Sequence, residues 1–300
     1  MPPVSELLAR ATSAIAEREP RAALEAMRAA WCEAPDPRIA LAVTELARHA
    51  GPTTGVVTAG AWQTVCDRGD PADLGVLLAN VVKTSSEAAG ERLATLARWR
   101  RDPRLGEALV LWLETPPYSS RSSSAFWLAA IRTCGDPRVV AACDRAVVGT
   151  LARLSAGTHL VPRIAAACDA LRAMVADLAV LNATDRATVE HLLAEIASWD
   201  AAERSRGEME AMFLARVRED PDDDNPRLVF ADWLTEHGDE RGELIALQFA
   251  RHDNSRLSVD GLKREHALER KHGVAWLGSL AHELRRGRMM FDRGLVSEVW

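Results

Sequence analysis

The sequence has few aromatic residues and no long apolar segment. Aromatic side chains make up 5% of the 300 residues, whereas a large all-β domain is typically rich in aromatic and β-branched residues. The apolar fraction is 48%, and much of it is alanine, a strong helix former. No stretch approaches the roughly 18 apolar residues of a membrane-spanning helix, and the start, MPPVSELLAR, lacks the pattern of a secretory signal. We therefore expect a helical, cytoplasmic protein without a membrane partner.

Paired cysteines and the common catalytic motifs are also missing. The five cysteines are odd in number and never form a CxxC pair, which argues against a disulfide framework or a zinc module. The nucleophile elbow GxSxG, the phosphate loop, GxGxxG and HExxH do not occur. We expect no catalytic, cofactor-binding or metal-binding residues, no cofactor and no enzymatic activity. The alternative is an enzyme whose catalytic groups are distant in sequence and meet in a deep pocket.

The charge of the chain is unevenly distributed. The formal net charge is −6, yet residues 201–250 contain 6 basic and 13 acidic residues, and residues 251–300 contain 10 and 7. No sustained basic stripe is present, which disfavours a general nucleic-acid-binding protein. The acidic segment favours a protein partner with a basic surface.

Residues 1–200 contain a dipeptide that recurs at steps of 34, 32 and 34 residues. The four copies are Asp36-Pro37, Asp70-Pro71, Asp102-Pro103 and Asp136-Pro137. Arginine follows three of them, as Arg38, Arg104 and Arg138, and a tryptophan precedes each, as Trp31, Trp62, Trp99 and Trp127. Asp at the N-cap accepts a backbone hydrogen bond, and Pro at the first helical position loses no intrahelical partner. Each copy therefore predicts the start of a helix.

A period of about 33 residues accommodates two helices with short connections, and such hairpins bury their apolar faces by stacking on their neighbours. The tetratricopeptide consensus is not visible, so we expect residues 1–200 to form a divergent HEAT-like α-solenoid. Its last hairpin is predicted to pair a helix containing Ile164 and Leu171 with one containing Val189 and Ile196. The alternative is an irregular all-α bundle in which the Asp-Pro caps recur by chance.

The polar segment 200–207 marks the expected domain boundary, and an acidic run follows it at Asp220. A calcium-binding EF-hand loop needs glycine at its sixth position and glutamate at its twelfth; this run has Asn225 and Ala231 there. The run instead predicts a helix with Asn225 as N-cap and Pro226 at the first position. Its buried stripe is expected at Leu228, Ala231 and Leu234, and Gly238 is expected to end it in the left-handed conformation. The next helix is expected to start at Asp239.

The string DPDDDNPRLVFADWLTEHGDERGELIALQ, at the centre of residues 209–248, resembles the repeat-companion domain of large-genome bacteria. The matching elements are Asp220-Pro221, Asp224, Pro226-Arg227-Leu228, Ala231-Asp232-Trp233-Leu234, Gly238-Asp239, Glu243 and Leu247-Gln248. A weaker resemblance extends through Arg293-Gly294 toward residue 300. The resemblance implies a bacterial protein and a short helical module that commonly accompanies repeats, but it implies no reaction and no ligand.

The last residues, RMMFDRGLVSEVW, predict a β-hairpin with a turn at Asp292-Arg293-Gly294. Residues 201–300 are therefore expected to form a small helical module that ends in a hairpin. An edge strand that ends on Trp300 is open to pairing. It is expected to dock on the module's own helices, to pair with a partner, or to be the first strand of repeats that a longer chain would carry.

These observations predict a non-catalytic protein-interaction scaffold or adaptor. The candidate partner-binding residues are Asp222, Asp223, Asp224, Asp232 and Glu243. Asp232 interrupts an apolar helix face, so the alternative for it is a structural ion pair with Arg216, Arg218 or Arg241.

Two other functions stay open at this point. One is a regulatory or immunity subunit that binds a single cognate protein. The other is a nucleic-acid-binding HEAT-like protein, which requires convergence of the arginines at positions 98, 100, 101, 104, 132 and 138 on one surface.

Overall fold

The computed structural model describes two compact units, Met1–Asp200 and Ala201–Trp300. The described residues are 2–53, 58, 60–118, 123–149, 151–153, 157–176, 178–252, 258–277 and 289–299. Within them the fold is all-α apart from one β-hairpin at the end, which confirms the predicted fold class.

The first unit consists of consecutive helices joined by short connections. They are α1 (Val4–Ala16), α2 (Pro20–Glu33), α3 (Pro37–Ala50), α4 (Trp62–Arg68), α5 (Leu74–Val81), α6 (Ser86–Thr95), α7 (Pro103–Glu114), α8 (Ser124–Thr133), α9 (Arg138–Val148) and α10 (Gly157–Val175), with 3-10 turns at Pro71–Asp73, Leu96–Trp99 and Leu151–Arg153. Helix α6 packs on α8 and α7 packs on α9. Equivalent helices of successive hairpins therefore lie side by side, as stacking of two-helix repeats requires.

The Asp-Pro dipeptides start helices as predicted. Asp36 caps α3 and Asp102 caps α7, each by accepting from the backbone N–H two residues later. Asp70 does the same for the 3-10 turn that leads into α5. Asp136 accepts from the N–H of Arg138 at 2.8 Å, although Pro137 is the residue that immediately precedes α9.

In two of the three Asp-Pro-Arg copies, the arginine connects successive repeats. Arg104 binds both carboxylate oxygens of Asp102 and donates to the carbonyl of Pro71 in the preceding repeat at 2.9 Å. Arg138 binds Asp136 in the same way and donates to the carbonyl of Pro103 at 2.7 Å. The Asp-Pro-Arg tripeptide therefore caps its own helix and binds the backbone of the previous one.

The four repeated tryptophans are core residues. Trp31, Trp62, Trp99 and Trp127 are all buried, and Trp127 is completely so. The last three belong to one core that extends from α4 to α10. The tryptophans therefore pack the interior of the repeats.

The predicted pairing of the last hairpin is wrong. Ile164 and Leu171 of α10 join the core formed by α4 to α9. Val189 and Ile196, in the first part of α11 (Ala183–Glu219), instead join the core of α1 to α3. The apolar spacing shows that a helix buries one face, but it does not identify the helix that covers this face.

The second unit contains the rest of α11, followed by α12 (Asn225–Glu236), α13 (Glu240–His252), α14 (Val259–Trp276), β1 (Met289–Asp292) and β2 (Leu295–Val299). The polar segment 200–207 lies inside α11. One small core joins α11, α12 and α13, and a second joins α13, α14 and the hairpin. Helix α13 therefore contributes to both cores of the module.

Helix α12 differs from the prediction by a shift of its start and of its buried face. Asn225 is the first helical residue, and the side chain of Asp224, which precedes it, accepts no capping hydrogen bond. Leu228 is 42% exposed, so its assignment to the buried stripe is wrong. Phe230, Ala231 and Leu234 are buried, because these positions face α11 and α13.

The end of α12 and the start of α13 follow the prediction. Gly238 has a φ of +70° and ends α12, and the N–H of Asp239 donates to the carbonyl of Leu234 at 2.9 Å. Asp239 then caps α13 by accepting from the N–H of Arg241 at 3.0 Å. Local turn chemistry was sufficient to locate this connection.

The terminal hairpin docks on its own module, which was one of the three alternatives. Arg293 and Gly294 form its turn, both with positive φ, as a two-residue turn of this handedness requires. Gln248 of α13 accepts from the N–H of Gly294 at 2.7 Å, and Arg241 donates to the carbonyl of Gly294 at 3.1 Å. Trp300, where the edge strand was predicted to end, lies outside the described residues.

Over the part of the chain that is described, none of the helices has the length and apolar content needed to cross a membrane.

Candidate functional site

The acidic run holds the start of α12 in place. Asp224 accepts from Arg293 in the hairpin turn at 2.5 Å and lies 3.7 Å from Arg227. Asp223 accepts from the backbone and side-chain N–H groups of Asn225 at 3.0 and 2.8 Å. These two carboxylates, which were predicted to bind a partner, bind the module itself.

Buried Arg227 organises the same loop from within. Its guanidinium donates to the carbonyl of Pro221 at 2.6 Å and to that of Asp223 at 3.3 Å. Sequence reasoning treated Arg227 only as part of the family resemblance and missed this role. The available signal was the position itself, because a basic side chain inside the first turn of α12 can reach back to the preceding carbonyls.

Glu243 belongs to an ion-pair network between α13 and α14. It accepts two hydrogen bonds from Arg264, at 2.9 and 2.6 Å, and these bonds lower the pKa of the Glu243 carboxyl. The centre of the network is Glu240, which contacts Lys271 at 2.6 Å, His272 at 2.5 Å and Arg264 at 3.1 Å. Hydrogen bonds from Lys271 and His272, with help from Arg264, lower the pKa of Glu240 to about 2.

Sequence reasoning missed Glu240 because its three partners, Arg264, Lys271 and His272, lie on α14. The available signal was the spacing of the charges: Glu240 and Glu243 are one turn apart on α13, and Arg264 and Lys271 are two turns apart on α14. Both sets therefore lie on single helix faces that can meet.

Asp222 and Asp232 are the two predicted residues whose carboxylates stay accessible. Both are exposed, and within the described residues neither makes an ion pair. Asp232 therefore does not have the structural partner that was its alternative; Arg241, for example, lies 3.6 Å from Glu210 instead. The five predicted acids do not form one site.

A groove of about 350 Å³ lies between the end of α11 and the start of α12. Its apolar lining comes from Phe213, Pro226 and Val229. Val229 is 53% exposed, so this concave surface offers an accessible apolar side chain.

The charged lining of this groove is mainly acidic. It consists of Glu219, Asp220 and Asp223, opposed by the single cation Arg216, and Asn225 completes the lining. Of the predicted site residues, only Asp223 contributes to this groove. We refer to these eight lining residues as the α11–α12 groove.

A second concave surface of the module lies beside the hairpin and has a volume of about 480 Å³. It is lined by Arg251, Glu265, His266, Glu269, Met290, Phe291 and Asp292. Burial, followed by the charge of Glu265, raises the pKa of the Glu269 carboxyl. Each of these two grooves contains three carboxylates: those of the first groove lie in the acidic segment 201–250, whereas Glu265, Glu269 and Asp292 lie in residues 251–300, which have a positive net charge.

The six arginines on which a nucleic-acid function depended do not form one surface. Arg98 donates to the carbonyl of Cys66 at 2.5 Å, and Arg101 donates to that of Cys32 at 3.2 Å. Arg104 and Arg138 are occupied in the Asp-Pro-Arg contacts. Among the described residues, Arg100 and Arg132 line a common groove to which Arg163 adds a third cation, and three cations fall short of the continuous basic stripe expected for a nucleic-acid interface.

No protein-family model, no curated protein and no solved structure matches the chain. The resemblance of residues 209–248 to the repeat-companion domain therefore stays a prediction from the motif residues. Several of those residues, including Arg227, Gly238 and Gln248, have structural roles in the module.

Proposed function

We propose that the protein is a non-catalytic interaction scaffold or adaptor of the bacterial cytoplasm. In this proposal the C-terminal module binds a basic segment of a partner protein in the α11–α12 groove. The observation that carries the proposal is the lining of this groove, which combines an exposed apolar side chain, Val229, with three carboxylates.

The dimensions of the groove suit a few side chains of a protein segment. Interfaces obtain most of their binding energy from a small number of apolar or aromatic anchors that enter a pocket. Charges at the rim add orientation and a faster association with an oppositely charged partner. Phe213, Pro226 and Val229 provide the apolar floor for an anchor, and Glu219 and Asp220 provide charges for lysine or arginine residues beside it.

The repeats of the first unit support the adaptor function rather than catalysis. Stacked helix hairpins offer extended surfaces that typically bind proteins. The resemblance to the repeat-companion domain points in the same direction, because that module commonly accompanies repeat proteins. If a single cognate protein occupies the groove, the protein is a regulatory subunit of that partner.

Photo-crosslinking from inside the groove tests the proposal. Val229 is replaced by benzoylphenylalanine in the full chain, and crosslinked proteins from bacterial cells are identified by mass spectrometry. We expect a discrete crosslinked protein whose recovery falls about tenfold when Glu219→Lys and Asp220→Lys are added, since about 1.4 kcal/mol corresponds to tenfold in affinity.

Two controls make the experiment specific. Glu208→Lys with Glu236→Lys reverses two exposed acids of the same module that do not line the groove, and it should leave the crosslink intact. Benzoylphenylalanine at exposed Ala246 of α13 should capture a different set of proteins or none. Equal loss of the crosslink in both charge-reversal variants, or no crosslink from position 229, would overturn the proposal.

A further inference from the structure

Three arginines of the first unit converge on one groove. The groove has a volume of about 270 Å³, and Arg100, Arg132 and Arg163 line it. Arg100 follows the 3-10 turn Leu96–Trp99, Arg132 lies in the last turn of α8, and Arg163 lies in α10. Residues that are far apart in the sequence thus place three guanidinium groups around one concave surface.

The remaining lining of this groove contains no acid. It consists of Ile131, Cys134, Ala166, Ala167, Ala170, Leu171 and Met174. Ala166 and Ala170 are exposed and lie one turn apart on α10. Because alanine side chains are short, they leave space above the helix surface between the arginines.

The three arginines have no carboxylate partner among the described residues. Arg100 donates to the sulfur of Met174 at 3.0 Å, which does not neutralise its charge. Other arginines of this unit are compensated: Arg104 by Asp102, Arg138 by Asp136 and Arg172 by Asp144. Unlike these three, the arginines that line the groove keep positive charges that no carboxylate among the described residues compensates.

The chemistry of the lining indicates the type of molecule that would fit. A guanidinium presents a planar fork of donors that pairs with both oxygens of a carboxylate. The apolar floor between the arginines would bury short aliphatic side chains. Among the lining residues there is no aromatic ring on which a nucleic-acid base could stack, so the surface favours a protein segment over a nucleic acid.

We propose that this groove is a second docking site, which binds an acidic segment of a protein with carboxylates spaced by small aliphatic residues. The site is independent of the function proposed for the C-terminal module, and its ligand has the opposite charge. Cys134 contributes shape and no covalent chemistry, because burial raises the pKa of its thiol to about 12 and keeps it protonated.

Fluorescence anisotropy with the full chain tests the proposal. The probes are labelled peptides in which Glu or Asp alternates with Ala, Val or Leu, and control peptides in which Gln or Asn replaces each acid. We expect an acidic peptide to bind, its neutral counterpart to bind at least about tenfold more weakly, and salt to weaken the binding of the acidic peptide.

Two variants of the groove should abolish this preference. Arg100→Gln, Arg132→Gln and Arg163→Gln together remove the cations. Ala166→Glu with Ala170→Glu keeps the arginines but places carboxylates in the space between them, at exposed helical positions where glutamate is well tolerated. We expect each variant to weaken binding of the acidic peptide by about tenfold or more.

A matched control separates the groove from net charge. Arg10, Arg145 and Arg172 are exposed arginines of the same unit that make surface ion pairs, and changing all three to Gln alters the net charge equally. The proposal is overturned if this control loses as much affinity as the groove variant, if no acidic peptide binds, or if single-stranded DNA binds more tightly than the peptides and is displaced by the same groove variants.

Discussion

Gln248 accepts a hydrogen bond from the buried N–H of Gly294 at 2.7 Å and so fixes the turn of the terminal hairpin on α13. The same side chain donates to the carbonyl of Phe291 and to a carboxylate oxygen of Glu265, at 3.2 and 3.1 Å. Three parts of the module, α13, α14 and the hairpin, therefore meet at one amide group.

Replacement of Gln248 by Leu should release the hairpin. The change leaves the N–H of Gly294 and the carbonyl of Phe291 buried without their partner, and each such group costs about 1–3 kcal/mol. Hydrogen exchange measured by mass spectrometry should show faster exchange of residues 289–299. Gln63→Leu is the control, because Gln63 is exposed and its side chain bonds only Asp67 among the described residues. Slow exchange of the hairpin in Gln248→Leu would contradict this interpretation.

Substitution of Gly294 by Ala should destabilise the module through two effects. A Cβ atom would lie 2.0 Å from Cγ1 of buried Ile245, and the φ of +76° is unfavourable for any residue with a side chain. The left-handed conformation alone costs about 1–2 kcal/mol, and overpacking adds about 1–3 kcal/mol. Urea unfolding followed by hydrogen exchange of the hairpin measures the loss.

Gly207 provides the matched comparison for Gly294. It lies within α11 with no atom within 4 Å of an added Cβ. Gly207→Ala should therefore stabilise the helix by about 0.5–1 kcal/mol. If both substitutions had the same effect, the close approach of Gly294 to Ile245 would not explain the stability of the hairpin.

The Asp-Pro-Arg contacts predict that equivalent aspartates differ in importance. Asp102 is buried and pairs with Arg104 and with Arg28, at 2.8 and 2.5 Å. Burial raises the pKa of the Asp102 carboxyl, but hydrogen bonds from Arg104 and the two positive charges outweigh burial, so its pKa is lowered. Asp102→Asn should reduce the free energy of unfolding by about 3–5 kcal/mol, because the arginines lose their buried partner.

Asp36→Asn tests the same position of the motif where the ion pair is more exposed. Asn is as good an N-cap as Asp, and Arg38 is half-exposed and lies 3.4 Å from Asp36. We expect a change below about 1 kcal/mol in urea unfolding. Equal effects of the two substitutions would show that capping, rather than the contact between repeats, determines the role of Asp102.

Local chemistry explains which parts of the fold were predictable. The helix starts after Asp36 and Asp102, the end of α12 at Gly238 and the hairpin turn at Gly294 all depend on residues next to one another in the sequence. The association of Val189 and Ile196 with α1 to α3 depends on tertiary packing, which no local pattern encodes. The hydrogen bonds from Arg104 and Arg138 to the preceding repeat likewise join residues that are more than thirty positions apart in the sequence.

The candidate site was predictable only in its charge. The acidic run was recognised, but Asp224 pairs with Arg293 and Glu243 pairs with Arg264. These partners lie 69 and 21 positions away in the sequence, so no local pattern indicates them. The groove lined by Arg100, Arg132 and Arg163 was not predicted as a whole, because these residues are separated in the sequence. The packing of α8 on α10 brings Arg132 and Arg163 to one surface.

The network around Glu240 predicts how the stability of the module depends on pH. The folded pKa of Glu240 is about 2, below the ordinary value of 4.5, so its contribution is fully present above pH 4.5 and is lost as the pH falls toward 2. The hydrogen-exchange protection of α14 should therefore decline as the pH falls over this range. Glu240→Gln should lower the protection at neutral pH, so that protection depends less on pH than in the wild type.

Carbon NMR of the Glu240 carboxyl provides the direct measurement of the same effect. We expect its titration midpoint near 2, shifting upward when Lys271→Met removes the partner at 2.6 Å, because the positive charge favours the ionised form. Glu208→Gln is the control, since Glu208 is exposed and makes no ion pair among the described residues. A midpoint near 4.5 for Glu240, or an acid response of α14 identical in wild type and Glu240→Gln, would show that these contacts do not hold α13 and α14 together.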